Sequence, residues 1–352
     1  MRKLPWHVPP KRLIAFTVVI VIVSALLVVG LVVSAKTGGS IGTASKPDVR
    51  SGRGANASIS SRWKVMATNA GTFNVVSCES VGNCVAIASS TGKDYVVGSN
   101  DGKWGSPYQL AQYQGEFVAL SCPRVQRCVA ISDLSAATVL RNGIWSKPTT
   151  IDPNNPGVPY PGMVNAVSCT TTRFCAAVDG QGNSEIFNGT SWTTPTKIDQ
   201  NFSLNEISCG STMHCAAVDG GGQVLILANA RWSGPRQIDN AALIAISCPN
   251  TTFCVALDLL GRALTFDGSS WSSPQNIDTV SDAPFALSCP DSSHCIAVDS
   301  AGRVLDFVKG SWSRPRQIDN VALTSISCPN TTFCVAVTSS GNVLTTTNPF
   351  GN

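Results

Sequence analysis

Fourteen cysteines stand in seven pairs along this chain, and paired thiols can bind zinc, exchange electrons or cross-link the backbone. The pairs are Cys78 and Cys84, Cys122 and Cys128, Cys169 and Cys175, Cys209 and Cys215, Cys248 and Cys254, Cys289 and Cys295, and Cys328 and Cys334. Each belongs to the same phrase, Ser-Cys-x5-Cys-x-Ala, and no cysteine is left over. Zinc sites favour shorter spacings with four converging ligands, and thiol redox catalysis favours Cys-x-x-Cys. A five-residue spacer inside seven separate units fits a disulfide across a turn. A bridge closing so short a loop contributes about 2 kcal/mol in the chain-entropy picture.

Carboxylates are the second recurrent set. Asp179, Asp219, Asp258 and Asp299 follow the second cysteine, and Asp152, Asp199, Asp239, Asp278 and Asp319 follow a Trp-x-x-Pro phrase. In a four-stranded meander both kinds of turn fall on one face. Nine carboxylates can therefore gather on one rim as a surface for a cation or a basic ligand. The other reading is turn chemistry, in which each aspartate bonds its own backbone; Arg236, Arg262, Arg303 and Arg316 would dilute an acidic field.

Asp179, Asp219, Asp258 and Asp299 are kept as ligand-binding candidates, together with Glu206 and with Tyr160, which stands between prolines in the insertion from Asp152 to Met163. Glu185, Asp282 and Arg127 also depart from the repeat. His214 and His294 occupy the place of Phe174, Phe253 and Phe333 in other copies and read as packing residues; His7 lies near the N-terminus. No catalytic set, metal site or cofactor is expected from these residues.

The elements that must position them are strands. Copies of the phrase begin about 40 residues apart, the length of a four-stranded propeller blade. In the last copies Ala322 to Cys328 and Phe333 to Val337 alternate as first and second strands, and Arg303 to Phe307 and Ser311 to Pro315 exemplify the third and fourth. Trp104, Trp145, Trp192, Trp232, Trp271 and Trp312 mark the fourth strands, each followed three residues later by a proline that only an edge strand tolerates. The repeated alanine after each second cysteine suits close packing of one blade on the next. Trp63 precedes the first cysteine pair, whereas the last copy stops after its third strand. Arg62 to Ala67 is thus expected to supply the missing outer strand and close the ring. The fold class expected is all-β, a seven-bladed β-propeller preceded by one transmembrane helix.

Four segments follow. Residues 1–12 carry Arg2, Lys3, Lys11 and Arg12, which account for the formal net charge of +4 and leave the rest of the chain neutral. Residues 13–35 lack any charge, and as a helix at ~1.5 Å per residue they would run about 34 Å, enough to cross a ~30 Å hydrocarbon core. The flanking positive charges put the N-terminus in the cytoplasm and the repeats outside. A cleaved signal peptide, ending at Val33-Ser34-Ala35, is the rival reading and would make the protein secreted. Either route delivers the cysteines to an oxidising space. Residues 36–61 are Gly-, Ser- and Ala-rich and read as a flexible linker, and residues 62–352 are the propeller. A neutral exported part excludes nucleic acid as a partner.

The unit Ser-Cys-Pro-x4-Cys-x-Ala-Val-Asp-x-x-Gly-x-Val-Leu, followed by Gly-x-Trp-Ser-x-Pro, resembles the cysteine-paired propeller repeats of bacterial surface and secreted proteins. These are of the broad BNR/kelch-like kind, although kelch and WD signatures are absent. The resemblance covers Arg62 to Asn352 and implies fold, with no single activity attached. Thr265 to Trp271 is similar to a sialidase Asp-box but one residue short between Asp267 and Trp271. Virginiamycin-B-lyase-like propellers are similar in blade count, but their chemistry implies a histidine and metal-binding acids, and the histidines here stand elsewhere. The function expected is a membrane-anchored ligand- or protein-binding module at the cell surface, with a cell-wall glycan or a surface protein as partner. The alternative is a carbohydrate-active enzyme, a glycosidase or lyase, with its site at the channel mouth.

Overall fold

The computed structural model describes residues 62–68, 70–110, 115–124, 126–152, 163–278 and 283–351. The stub, the apolar stretch 13–35, the linker, Tyr160 and Asp282 lie outside the described residues. Among the described residues no helix is long and apolar enough to cross a membrane.

Seven antiparallel sheets form, one per copy of the cysteine phrase. Blade 5 shows the pattern: Leu243–Asn250, Phe253–Asp258, Arg262–Phe266 and Gln275–Asn276 pair in sequence order. Each first strand touches those of the blades on either side, and that of blade 7, Leu323–Asn330, returns to that of blade 1, Thr72–Ser80. The ring closes as the sequence implies. Lys64–Ala67 pairs with Asn342–Thr346, with Met66 opposite Val343 and Ala67 opposite Asn342, and so completes blade 7.

The alternation of sheets explains the composition of the strands. A second strand is covered on both faces by neighbouring blades, so Phe253–Asp258 is buried at all six positions. The repeated alanines, from Ala86 to Ala336, are all fully buried, where a larger side chain would push two sheets apart. Seven apolar clusters fill the gaps between blades. Phe253, Val255 and Leu257 of blade 5, for example, meet Ala297, Leu305 and Phe307 of blade 6. Each such side chain contributes roughly 1.5–3 kcal/mol on burial. Phe333 and Val335 of blade 7 meet Phe73 and Val97 of blade 1 in the same way.

Proline shapes the outer strands. In blade 6 Ser311–Trp312 and Arg316–Gln317 both pair with Arg303–Val308, and Pro315 lies in the break between them. Val65 stands at that place in blade 7, and its outer strand runs unbroken. Trp312 lies on Phe307 at 5.3 Å between ring centroids and is half-buried against the cluster between blades 5 and 6, whereas Trp63 is buried against blade 6.

All seven disulfides form within their own blades. The serine before each first cysteine does something different. Ser77, Ser121, Ser168, Ser208, Ser247 and Ser288 each accept a hydrogen bond from the N–H of the first cysteine of the next blade, at 2.9–3.0 Å. Ser327 accepts from Cys78 N–H at 2.9 Å and completes the circuit. In the phrase Ser-Cys, the cysteine staples one blade and the serine ties it to the next.

Candidate functional site

Eight of the nine aspartates meet on one rim, in four pairs that straddle successive blades; Asp319 is left over, because blade 7 carries Thr338 in place of the second aspartate. In blade 5 the Oδ1 of Asp258 accepts the N–H groups of Leu260 and Arg262, at 2.9 and 2.8 Å, and so caps its own hairpin. Asp179, Asp219 and Asp299 make equivalent bonds, and all four are fully buried. Gly302 shows why the hairpin ends in glycine: its φ is +82°, and a Cβ there would lie 2.3 Å from the carbonyl oxygen of Asp319. The turn reading therefore describes what these four carboxylates bond to.

What lies between the paired carboxylates differs from blade to blade. The Arg262 guanidinium bonds Asp258 through Nε and Asp239 through Nη2, the latter at 2.8 Å. Arg303 joins Asp299 and Asp278 at 2.6 and 2.8 Å. Blade 4 has Gln223 at that place. There Asp219 faces Asp199, and burial together with the second carboxyl pushes Asp219 up to about 7. Blade 3 has Asn183, whose Nδ2 donates to Asp179 at 2.7 Å, and adds Glu185. Burial, then Asp179 and Asp152, push Glu185 up to about 9. Glu206 lies half-buried on the first strand of blade 4, Leu204–Ser211, where burial pushes it up to about 7.

His294 packs as expected of the residue replacing a phenylalanine. Its ring lies 4.8 Å from Phe350, and its Nδ1 is 2.9 Å from Asp291.

A second feature, missed in the sequence reading, lies between blades 1 and 2. An open groove of about 440 Å³ is walled by Val85, Val96, Gly98 and Tyr108 on one side and by Arg124, Leu140 and Trp145 on the other. That volume falls within the usual range for ligand pockets. Gly98 opens it. In register it corresponds to Ile186, Ile226 and Thr265 of blades 3, 4 and 5, side chains borne by the third strand. A Cβ at Gly98 would meet nothing within 4 Å, so the missing side chain leaves space rather than relieving a clash. Tyr108 is 64% exposed at its rim. Glu79 also lines the groove, with a buried Oε2 that has no hydrogen-bond partner.

Arginines gather on blade 2: Arg124 lines the groove, whereas Arg127 and Arg141 lie toward blade 3, where Arg141 donates to the Gly189 carbonyl at 2.6 Å. Arg124 faces Arg127, and Arg127 faces Arg141, in the strand register; all three are exposed. Like charges placed directly opposite are unfavourable in a sheet. Among the described residues no carboxylate pairs with any of them. Aligning the seven copies would have exposed Gly98, since every other copy has a side chain there; the arginine cluster requires strand pairing to be seen.

No family model matches the chain, and no curated protein matches it. Solved structures match its fold. A structure titled YCF48 bound to D1 peptide is similar at 12% identity and a TM-score of 0.65, over 82% of this chain and 97% of that one. The WD40 β-propeller domain of Doa1 is similar at 11% identity and a TM-score of 0.65, over 80% and 96%. Virginiamycin B lyase from Staphylococcus aureus is similar at 11% identity and a TM-score of 0.67, over 81% and 99%. At such identities the likeness is one of fold.

Proposed function

We propose that this propeller is a protein-binding module that grips an extended, acidic segment of a partner in the groove between blades 1 and 2. The observation that carries the reading is the groove opened by Gly98, with exposed Arg124 on its blade 2 wall and Arg127 and Arg141 following it across the sheet toward blade 3. Cations concentrated without counter-charges favour a partner that brings carboxylates. Tyr108 and Trp145 supply aromatic contact. A similar propeller has been solved with a bound peptide, which supports a polypeptide as the ligand. The stretch 13–35 is read as the anchor that holds the module on the outer side of a membrane, where its disulfides persist. A lyase shares the fold, but fold alone carries no enzymatic reading.

The test is a peptide array of acidic, neutral and basic segments, probed beside a cell-wall glycan array. Acidic peptides are expected to be retained, with binding that weakens as salt is raised. Gly98→Ile, which gives blade 1 the side chain its sister blades carry, should abolish retention without loss of folding; Arg124→Glu should weaken it. Retention by glycans alone, or acidic binding untouched by Gly98→Ile, would refute the proposal.

A further inference from the structure

Blade 3 gathers three carboxylates in one buried place. Asp152 leads into the blade, Asp179 ends its second strand and Glu185 stands within its third, and one oxygen of each lies within 4.8 Å of the others. Their exposures are 5%, 0% and 0%. Acidity and proximity alone would say little. The independent observation is the position and isolation of Glu185. In register it faces Ala177, the place that Leu225, Leu264, Leu305 and Leu344 hold opposite Ala217, Ala256, Ala297 and Ala336. Those leucines are fully buried. Both carboxylate oxygens of Glu185 are buried with no hydrogen-bond partner. A carboxylate placed in a core position is strongly unfavourable unless a positive charge or a proton meets it.

The sister blades show what is missing. Blades 5 and 6 set an arginine between their paired aspartates, whereas blade 3 has the neutral Asn183 and adds one more acid. A positive charge has been removed where a negative one was added.

We propose that Asp152, Asp179 and Glu185 bind one hard divalent cation of the Ca²⁺ kind, which does at the junction of blades 2 and 3 what arginine does in blades 5 and 6. An all-carboxylate donor set selects Ca²⁺ or Mg²⁺ over softer metals. Oxygens that share a Ca²⁺ at 2.3–2.6 Å lie up to about 5 Å apart, which the spread here accommodates. The ion would tie the segment entering blade 3 to that blade's own hairpin. Without it, burial of Glu185 beside two other carboxyl groups favours its protonated form.

The experiment separates these two states. The full chain is stripped with a chelator, then titrated with Ca²⁺ by calorimetry and melted with and without the ion. Binding of about one Ca²⁺ per chain and a rise in melting temperature are expected. Glu185→Leu, which restores the repeat's own residue, should stay folded at least as well as the stripped parent and lose more than about tenfold in Ca²⁺ affinity. Glu185→Gln, which keeps the shape and removes the charge, should lose the response as well. Uptake of Mg²⁺ in preference to Ca²⁺, abolished by the same variants, would support the site with the smaller ion. Failure of Ca²⁺, Mg²⁺ and Mn²⁺ to bind, or undiminished binding by Glu185→Leu, would overturn the proposal and leave a proton on Glu185.

Discussion

In blades 5 and 6 an arginine lies between two buried aspartates, and a phenylalanine packs on the outer tryptophan. In blade 3 the arginine is an asparagine with a buried glutamate beside it, and in blade 1 the residue facing Trp104 is Ser99. The backbone pairing is the same in both regions, and so are the disulfides and the serine ties. The framework is thus supplied by what repeats, while the side chains at a few rim and groove positions are free to vary. Both places with room for a partner or an ion occur where a blade has given up a residue its sisters keep.

The sharpest way to break this comparison is to remove an arginine from a regular blade. Arg303→Leu removes the guanidinium that joins Asp278 to Asp299, and should cost about 3–5 kcal/mol in urea unfolding, whereas Glu185→Leu should cost nothing. Equal losses for the two would show that the arginine is dispensable and that the blades do not differ in the way described.

The serine ties should be insensitive to region. Ser77→Ala frees the N–H of Cys122 and Ser288→Ala that of Cys328; each is expected to cost about 1–2 kcal/mol. A much smaller loss at Ser77 would mean that blades 1 and 2 are held more loosely than blades 6 and 7.

Blade 4 gives an effect that is visible only against pH. Asp219 is pushed up to about 7 when folded, whereas the unfolded chain ionises near 3.8. The folded state therefore holds the extra proton between those values, and stability falls as pH rises from about 4 to about 7. Asp219→Asn imitates the protonated form and should flatten that part of the melting-temperature profile. An unchanged profile would show that Asp219 and Asp199 share no proton.

Much of the architecture was legible because its signals are local. Cysteines six apart, strands alternating every second residue and prolines after tryptophans each act within one blade, and Trp63 supplied the only long-range clue, that of closure. The candidate sites were legible only in part. Glu185 announced itself as a departure from the repeat, but Asp152 is 33 residues earlier in the chain and came from a different recurrent set. Asp179, Asp219, Asp258 and Asp299 were found as a set, while their burial and backbone bonds depend on packing.

By itself the sequence determined the number of blades, the partner of every cysteine and the strand that seals the ring, because each follows from spacing along a short piece of chain. Only the tertiary structure decided that Ser77 reaches Cys122, that Arg262 spans Asp239 and Asp258, and that Gly98 leaves a groove. Those are contacts between separate turns and neighbouring sheets, and nothing in a linear repeat states how closely two sheets approach or which side chains meet across the gap.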